Sequence, residues 1–385
     1  MKTSSLLKIA AVALAVTALG ACSDAIFATI ETERRSSTNL LSETLNVVGI
    51  ESAAPGSGVY DVGAGAVFQG ALSGFSGTIT WNPNTTITDR PFNPSGLVCN
   101  VMASFGGNLY GGFTDQAGNS SFYWAYAASP TSWTAIPIPA GWQQVTFLRA
   151  ANGNLFLGLV DSTNSNYALY YSTNGATWNP TSVTGLTKPI KGVGFDGTNY
   201  WAVASNYSVF EGATPTTMSM VYPTGTQAGN LFFISTDTIN GLFADPVNLG
   251  RVFIVTKTTG IFYTLNGGST WTRINADQPS GSANPVSYLS VGGPVDVSAG
   301  NVVYLVGADG FGYYTLNISG GGSWSRFGDS TILLFTASVA NIFVDQSFGQ
   351  CNVLLGTNAQ GVWRAVFDST LGAVINGTNQ YWIHE

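Results

Sequence analysis

Histidine and charged side chains are scarce in this chain of 385 residues, and their scarcity excludes several kinds of chemistry. The only histidine is His384, next to the last residue, so neither a Ser/His/Asp relay nor a histidine metal site can assemble. No two cysteines have metal-ligand spacing, and no glycine-rich stretch has the context of a dinucleotide loop. We therefore expect no cofactor and no metal site.

The low charge also limits the partners. Charged residues are 9% of the chain, and no basic patch occurs. Acidic residues outnumber basic ones, 20 to 13, which argues against nucleic acid as a partner. What the chain does contain is 12% aromatic residues and 47 glycines, a composition typical of β-rich, turn-rich proteins.

The N-terminus has the pattern of a secretory signal. Lys2 and Lys8 precede a short apolar stretch at residues 9–19, which is too short for a stable membrane span. The following "LGAC" resembles a bacterial lipobox, which implies cleavage after residue 21 and lipid modification of Cys22. Acyl chains would then anchor the protein to a membrane, and Ser23 fits outer-membrane sorting in a diderm bacterium. The alternative is an ordinary signal peptide with an incidental cysteine.

Three regions follow from the charge distribution and the signal. Residues 1–21 are the predicted lipoprotein signal peptide, and residues 22–44 are a lipidated cysteine with a charged tether. Loss of Lys2 and Lys8 leaves 11 basic and 20 acidic residues, a balance of −9. Residues 45–385 form a single domain whose first strand is predicted near residues 45–50. A short helix there is the alternative.

A turn followed by a hydrophobic strand recurs along this domain. The turns begin at Gly58, Gly107, Gly153, Gly197, Gly250, Gly300 and Gly349, at intervals of 49, 46, 44, 53, 50 and 49 residues. In most units a further strand then leads to a Trp, as in "YYSTNGATW" and "YTLNGGSTW". Units of this size with four short strands are typical of β-propeller blades. The sequence predicts an all-β propeller of seven four-stranded antiparallel blades, with six or eight as the alternatives.

One turn resembles a known repeat. "TLNGGSTW", residues 264–271, is similar to the Asp-box, or bacterial neuraminidase repeat, with Asn266 in place of the Asp, Gly268 at the Gly position and Trp271 at its end. Degenerate versions contain Asn174 and Trp178, and Asn317 and Trp324. The resemblance implies a structural hairpin on the propeller face away from the active site of sialidases.

Sialidase chemistry itself is poorly supported. It needs an arginine trio, a Tyr nucleophile with a Glu partner, and an Asp. The early Arg90 is followed directly by Pro, and Arg273, Arg326 and Arg364 each follow a Trp, which we interpret as blade repetition in equivalent strands. Beyond the tether, Glu occurs only at positions 51, 211 and 385.

The predicted binding surface is the opposite face, formed by loops from second to third strands and from outer strands to the next blade. Its candidate residues are Asp89, Arg90, Asp115, Trp142, Asp161, Lys188, Lys191, Lys257 and Asp309. Paired Asp residues there could support a glycosidase, and "DSTNSN" at residues 161–166 could hold calcium, but simple solvated loops are the alternative. Cys99 and Cys351 could form a disulfide or remain buried thiols.

The prediction is therefore a membrane-anchored lipoprotein of the cell envelope, periplasmic or surface-facing, with no catalytic residues assigned. Its propeller would act as a binding or scaffolding module for an envelope protein or a glycan. The alternatives are a glycan-active hydrolase and an assembly factor for envelope complexes.

Overall fold

The described part of the protein is built of β-strands. A computed structural model describes residues 46–73, 79–83, 97–228, 231, 237–275, 287–298, 301–309, 312–318, 323–326, 338–347, 350–358, 360–368, 373–374 and 383–385. Within these ranges every regular element is a strand, and we find no helix able to span a bilayer. The predicted signal peptide, Cys22 and tether lie outside them and stay predictions.

The strands follow one another in sets of four, and each set is called a blade here. The first four blades contain β1 (Gly49–Ser52), β2 (Val59–Ala64), β3 (Ala66–Leu72) and β4 (Ile79–Pro83); β5 (Val98–Phe105), β6 (Asn108–Thr114), β7 (Ser120–Tyr126) and β8 (Thr134–Ala135); β9 (Gln144–Ala151), β10 (Asn154–Val160), β11 (Tyr167–Ser172) and β12 (Asn179–Val183); and β13 (Ile190–Phe195), β14 (Tyr200–Ala204), β15 (Val209–Thr214) and β16 (Thr217–Tyr222).

The remaining strands form three more sets. They are β17 (Ile239–Ala244), β18 (Val252–Thr256), β19 (Gly260–Thr264) and β20 (Thr272–Asn275); β21 (Tyr288–Ser298), β22 (Asn301–Ala308), β23 (Gly312–Asn317) and β24 (Ser323–Arg326); and β25 (Ser338–Ser347), β26 (Gln350–Asn358), β27 (Val362–Asp368) and β28 (Ala373–Val374), with β29 (Ile383–His384) also pairing with β27.

Within each blade, consecutive strands pair antiparallel. Short parallel contacts join β12 to β16 and β23 to β25. The first strand of each blade contacts the first strand of the next, and β25 of blade 7 contacts β1 of blade 1. These contacts arrange the first strands around a common centre, which confirms the all-β propeller prediction.

The ring is closed by contacts between blades 7 and 1. The backbone N–H of Val47 donates to the carbonyl of Thr357 at 2.9 Å, and the Asn341 side chain donates to the carbonyl of Val47 at 2.8 Å. The Tyr60 hydroxyl donates to Asp345 Oδ2 at 3.2 Å. Residues roughly 300 positions apart therefore hold the two ends of the repeat together.

The hydrophobic core lies between blades. All seven residues of β10 are buried, because both faces of this strand are covered by neighbouring sheets. Leu155 packs in a cluster with Leu148 and Tyr110, whereas Phe156 packs with Tyr200 of blade 4 at a ring-centroid distance of 5.6 Å. Each second strand thus contributes apolar side chains to two interfaces.

The predicted strands of the third unit agree with the structure. Inner residues 144–149, then 154–160 and 167–172, correspond to β9, β10 and β11, and β12 follows Trp178. In the first unit, β1 begins at Gly49, later than the predicted 45. The hydrophobic pattern locates strands well where glycine turns limit both ends.

The interpretation of three arginines as equivalent needs a correction. Arg273 and Arg326 lie in the fourth strands β20 and β24, but Arg364 lies in β27, a third strand. Arg364 is fully buried, and its Nε lies 2.6 Å from Glu385 Oε1, while Glu385 Oε2 accepts the backbone N–H of Ile79 at 2.8 Å. This ion pair ties the end of the chain to blade 1.

The two cysteines are free thiols. Cys99 lies in the cluster between blades 1 and 2, and Cys351 lies in the cluster between blades 6 and 7. Burial raises the pKa of each thiol to about 12, so both stay protonated and unreactive near neutral pH. Of the two alternatives for the cysteines, the structure shows buried thiols rather than a disulfide.

We expect Arg364→Met to destabilise the protein by about 3–5 kcal/mol, because it leaves the Glu385 carboxylate buried without its counter-ion. The free energy of unfolding in urea measures the loss. Arg273→Met removes an exposed guanidinium whose Nε donates to the Thr259 carbonyl at 2.8 Å, so it should cost only about 0.5–1.5 kcal/mol. Equal losses in the two variants would contradict the assignment.

Candidate functional site

The up-and-down order of the strands defines one end of the propeller, called the loop face here. It carries the turns between second and third strands and the connections from fourth strands to the next blade. Nine candidate residues were predicted on these loops, and seven of them belong to described residues: Asp115, Trp142, Asp161, Lys188, Lys191, Lys257 and Asp309. Lys191 lies in strand β13 rather than in a loop, which corrects its predicted position. Asp89 and Arg90 lie outside the described residues.

Two of the candidate carboxylates stabilise their own loops. Asp115 Oδ1 accepts the backbone N–H groups of Ala117 and Asn119 at 2.9 and 2.8 Å. Asp161 accepts five hydrogen bonds from residues 163, 165 and 166 in the same way. The pKa of each of these carboxyl groups is lowered, mainly by a hydrogen bond from a side-chain amide: that of Asn119 for Asp115 and that of Asn166 for Asp161. A general acid needs a raised pKa, so these geometries favour turn-forming roles.

Two further candidates also take part in internal contacts. The Ser338 hydroxyl of blade 7 donates to Asp309 Oδ1 of blade 6. Trp142 donates from Nε1 to the Tyr170 hydroxyl at 3.1 Å, and the two rings pack edge to face at 6.4 Å. Lys188, Lys191 and Lys257 are exposed on the loop face. The available charges among the described candidates are therefore mainly positive.

A cavity of about 500 Å³ runs along the centre of the ring, lined by the first strands of all seven blades. On one side its polar side chains bind the backbone of the following blade. Asn240 donates to the carbonyl of Tyr288, Ser290 to that of Val339, and Asn341 to that of Val47, at 2.5, 2.9 and 2.8 Å. In blades 5 to 7 the polar side chains of the channel wall therefore hydrogen-bond each blade to the next and help to close the ring.

On the other side, the polar groups belong to blades 1 to 4. Glu51 Oε2 accepts the Ser104 hydroxyl at 2.8 Å, and Arg149 is close enough for its charge to act on Glu51. Burial raises the pKa of Glu51, and Arg149 opposes that shift. Arg149 and Lys191 are exposed to the channel and donate no hydrogen bond to another described residue. These two cations are the groups best placed to contact a ligand.

A β-bulge recurs at the loop-face end of the first strands and explains the position of Lys191. One extra residue interrupts the pairing with the second strand in blades 2 to 7. The extra residues are Asn100, Thr146, Lys191, Asn240, Leu289 and Ala340. A bulge redirects a side chain, and here it brings Lys191 and Asn240 to the channel mouth.

Sequence reasoning missed Glu51, Ser104, Arg149 and Asn240 as channel residues. They lie in the observed first strands β1, β5, β9 and β17, where no sequence motif marks them. The rarity of Glu beyond the tether was the one available signal for Glu51.

The turn that resembles an Asp-box is an internally bonded hairpin. Asn266 Oδ1 accepts the Thr264 hydroxyl and the backbone N–H of Thr270, both at 2.9 Å. Gly268 has a φ of 82°, and a Cβ there would lie 2.7 Å from the Trp201 ring. The turn therefore requires glycine for both its conformation and its packing.

The shorter version at Asn174 has the same design. Asn174 Oδ1 accepts the backbone N–H groups of Ala176 and Thr177 at 2.9 and 2.8 Å, and Ser172 Oγ accepts that of Gly175 at 2.8 Å. The side-chain oxygen of Asn is therefore the central acceptor in both turns, although this one is a residue shorter. Of the third version, Asn317 ends β23 and Trp324 lies in β24.

The tryptophans that end these turns contact the preceding blade. Trp178 of blade 3 packs on Phe122 of blade 2 at 5.6 Å, and Trp271 of blade 5 packs on Trp201 of blade 4 at the same distance. Trp271 also donates to Gln227 Oε1 at 3.0 Å. These contacts support a structural role for the turns.

Comparison with known proteins identifies the fold and no family. No family of known proteins matches the chain by sequence, and neither does any curated protein. Solved structures are similar at low identity: "YCF48 bound to D1 peptide" (15% identity, TM-score 0.56, covering 85% of this chain and 94% of that chain) and "YCF48 from Cyanidioschyzon merolae" (14%, 0.58, 84% and 96%). An ancestral GH74 enzyme is similar at 12% identity and a TM-score of 0.58, covering 89% of this chain and 46% of the enzyme.

We expect Asn266→Ala to cost about 1–2 kcal/mol of stability, because the variant loses the side-chain oxygen that accepts the Thr270 N–H. Asn266→Asp keeps this acceptor and should cost less than about 0.5 kcal/mol. Urea unfolding of both variants measures the difference. An Asn266→Ala variant as stable as the wild type would show that the side chain does not stabilise the turn.

Proposed function

We propose that this chain is a lipid-anchored protein of the cell envelope whose propeller binds a segment of another envelope protein. The ligand enters at the loop-face mouth of the channel. The proposal rests on a difference between the two sides of the channel wall. In blades 5 to 7 the polar side chains bond to the neighbouring blade, whereas Arg149 and Lys191 on the other side face the cavity.

The charge of this wall indicates the kind of segment. Arg149, Lys191 and the nearby exposed lysines 188 and 257 carry positive charge in a chain whose formal net charge is −7. A local cationic surface on an acidic protein favours a ligand with acidic groups and disfavours unspecific anionic polymers. The similar structure of YCF48 holds a D1 peptide, which supports a peptide segment as the ligand of a propeller of this shape.

A binding role agrees better with the geometry than a hydrolytic one. Asp115 and Asp161, the two loop-face carboxylates with fully described loops, are saturated by hydrogen bonds within those loops. The likeness to a GH74 enzyme is a likeness of fold. An assembly factor, which binds without chemistry, remains compatible with the same site.

The membrane anchor has its own test. Replacing Cys22 with Ser removes the thiol that would carry the lipid, so we expect the variant to move from the membrane fraction to the soluble envelope fraction. Fractionation with an antibody against the propeller measures this. Retention of the Cys22→Ser variant in the membrane would contradict lipid anchoring at this residue.

The channel mouth is tested by charge reversal. We expect Lys191→Glu to weaken capture of the partner from envelope extracts by roughly tenfold or more, because a repulsive charge would face the acidic segment. Arg273→Glu makes the same change of net charge on the outer strand β20, where Arg273 donates to the Thr259 carbonyl and does not line the channel, so it should retain binding. Quantitative pull-down with the soluble Cys22→Ser chain compares them.

Two outcomes would contradict the assignment. Equal binding by wild type, Lys191→Glu and Arg273→Glu would place the ligand elsewhere on the propeller. Captured material that resists protease and is removed by glycosidases would identify a glycan rather than a protein segment.

A further inference from the structure

The interface that follows blade 1 is polar, whereas the interfaces that follow blades 2 to 6 are apolar; the second strand of blade 7 also carries a buried polar residue, Asn352. In blades 2 to 6, a large buried residue of the second strand faces the next blade: Tyr110, Phe156, Trp201, Phe253 and Leu305. In blade 1 this place is taken by Asp61, which is 0% exposed. The repeat therefore puts a carboxyl group where a hydrophobic contact would stabilise the ring.

Asp61 belongs to a polar row that crosses blade 1. It pairs in register with Glu51 on β1 and with Gln69 on β3, so the three side chains extend from the same face of the sheet. Gln69 Nε2 donates to Asp61 Oδ1 at 3.0 Å and to the carbonyl of Ala127 in blade 2 at 2.7 Å. The Ser104 hydroxyl of blade 2 donates a hydrogen bond to Glu51 Oε2. The row thus lies in the interface between blades 1 and 2.

In this row, the charge of Arg149 acts on Glu51, but no described cation acts on Asp61. Carboxylates directly opposite each other on neighbouring strands repel, and the repulsion is stronger in a buried site. Burial raises the pKa of Asp61 to about 8, with the nearby Glu51 adding to the shift and Gln69 opposing it. Asp61 Oδ2 is buried and has no hydrogen-bond partner within the described residues.

Protonation of Asp61 would solve only part of this electrostatic problem. Protonation of Asp61 removes its charge, but the O–H at Oδ2 would be a buried donor whose acceptor is not among the described contacts. A cation held between Asp61 Oδ2 and Glu51 would offset the repulsion between the two carboxylates. It would also give the Asp61 Oδ2 oxygen a partner, because this oxygen would be one of its ligands. Glu51 lines the channel and Asp61 is buried behind it, so a cation from the cavity would lose water as it passes Glu51 to contact Asp61.

We propose that Glu51 and Asp61 bind a hard, oxygen-seeking cation at the channel end of the interface between blades 1 and 2. Calcium is the best probe, since carboxylate and hydroxyl oxygens are its preferred ligands. The Ser104 hydroxyl and channel water supply further oxygens. The bound cation links blade 1 to blade 2 and stabilises the wall that carries Glu51.

The neighbouring charges limit the affinity. Arg149 is the described cation whose charge acts on Glu51, and it competes electrostatically with a bound ion. Two carboxylates are few for a calcium site, so a dissociation constant of roughly 0.1–1 mM is expected, in the range of extracellular modules. Binding requires both carboxylates to be deprotonated, and affinity should therefore increase as the pH rises toward and above 8.

Thermal unfolding of the soluble Cys22→Ser chain tests the proposal. At pH 8.5, 10 mM CaCl₂ should raise the Tm by several degrees over an EDTA sample at matched ionic strength, and the shift should be smaller at pH 6. The near-isosteric variants Asp61→Asn and Glu51→Gln should each lose most of the calcium-dependent shift. Asp115→Asn, which alters an exposed loop carboxylate, should keep it.

Calcium titration calorimetry of the wild-type chain gives a readout that does not depend on how the variants fold. Saturable binding with about one ion per chain, weaker at pH 6, supports the site. No saturable binding by the wild type would overturn it. So would a Tm that falls as the pH rises but is insensitive to calcium, since the carboxyl pair would then hold a proton only. A calcium shift that persists unchanged in both Asp61→Asn and Glu51→Gln would also refute the site.

Discussion

The contact between the second strands of neighbouring blades is the interaction on which the rest of this structure depends. A blade is a single sheet and has no core of its own, so each apolar face must be covered by another blade. β10 shows the consequence, because Leu155 packs toward blade 2 and Phe156 toward blade 4. The ring must also close, which is why blade 7 forms hydrogen bonds to the segment before β1. Cooperativity of the whole domain follows from this arrangement.

Tyrosines that pack in the interfaces also form hydrogen bonds that fix the position of one blade relative to the next. The Tyr200 hydroxyl of blade 4 accepts from Asn154 of blade 3 at 2.9 Å, and the Tyr304 hydroxyl of blade 6 donates to Asp245 of blade 5 at 2.5 Å. Tyr60 repeats the contact across the closure. Packing and directional hydrogen bonding therefore act on one side chain, and a shift of one blade relative to the next would lose both.

The fold could be predicted from the sequence because glycine turns and apolar strands repeat at a nearly constant interval, and each strand is recognisable by itself. The site depends on contacts that the sequence does not display. Asp115 and Asp161 resemble paired acids in the sequence, but their partners are backbone N–H groups that converge only in the folded loop. Arg364 follows a Trp as Arg273 does, yet the two occupy different strands, because the last blade completes its sheet differently. Asp61 is one Asp among many until its burial is known.

A ring of similar blades can acquire a function only where the similarity fails, since equivalent positions otherwise do equivalent structural work. Asn240, Ser290 and Asn341 illustrate the rule, because one after another they bind the carbonyl of the next blade. Arg149 and Lys191 have no such structural partner among the described residues, and Asp61 stands where blades 2 to 6 have a large apolar residue. Retaining a buried carboxyl at an interface costs stability unless something compensates its charge. Arg149, Lys191 and Asp61 all lie in blades 1 to 4, so this half of the channel is where a bound group would interact most favourably with the protein.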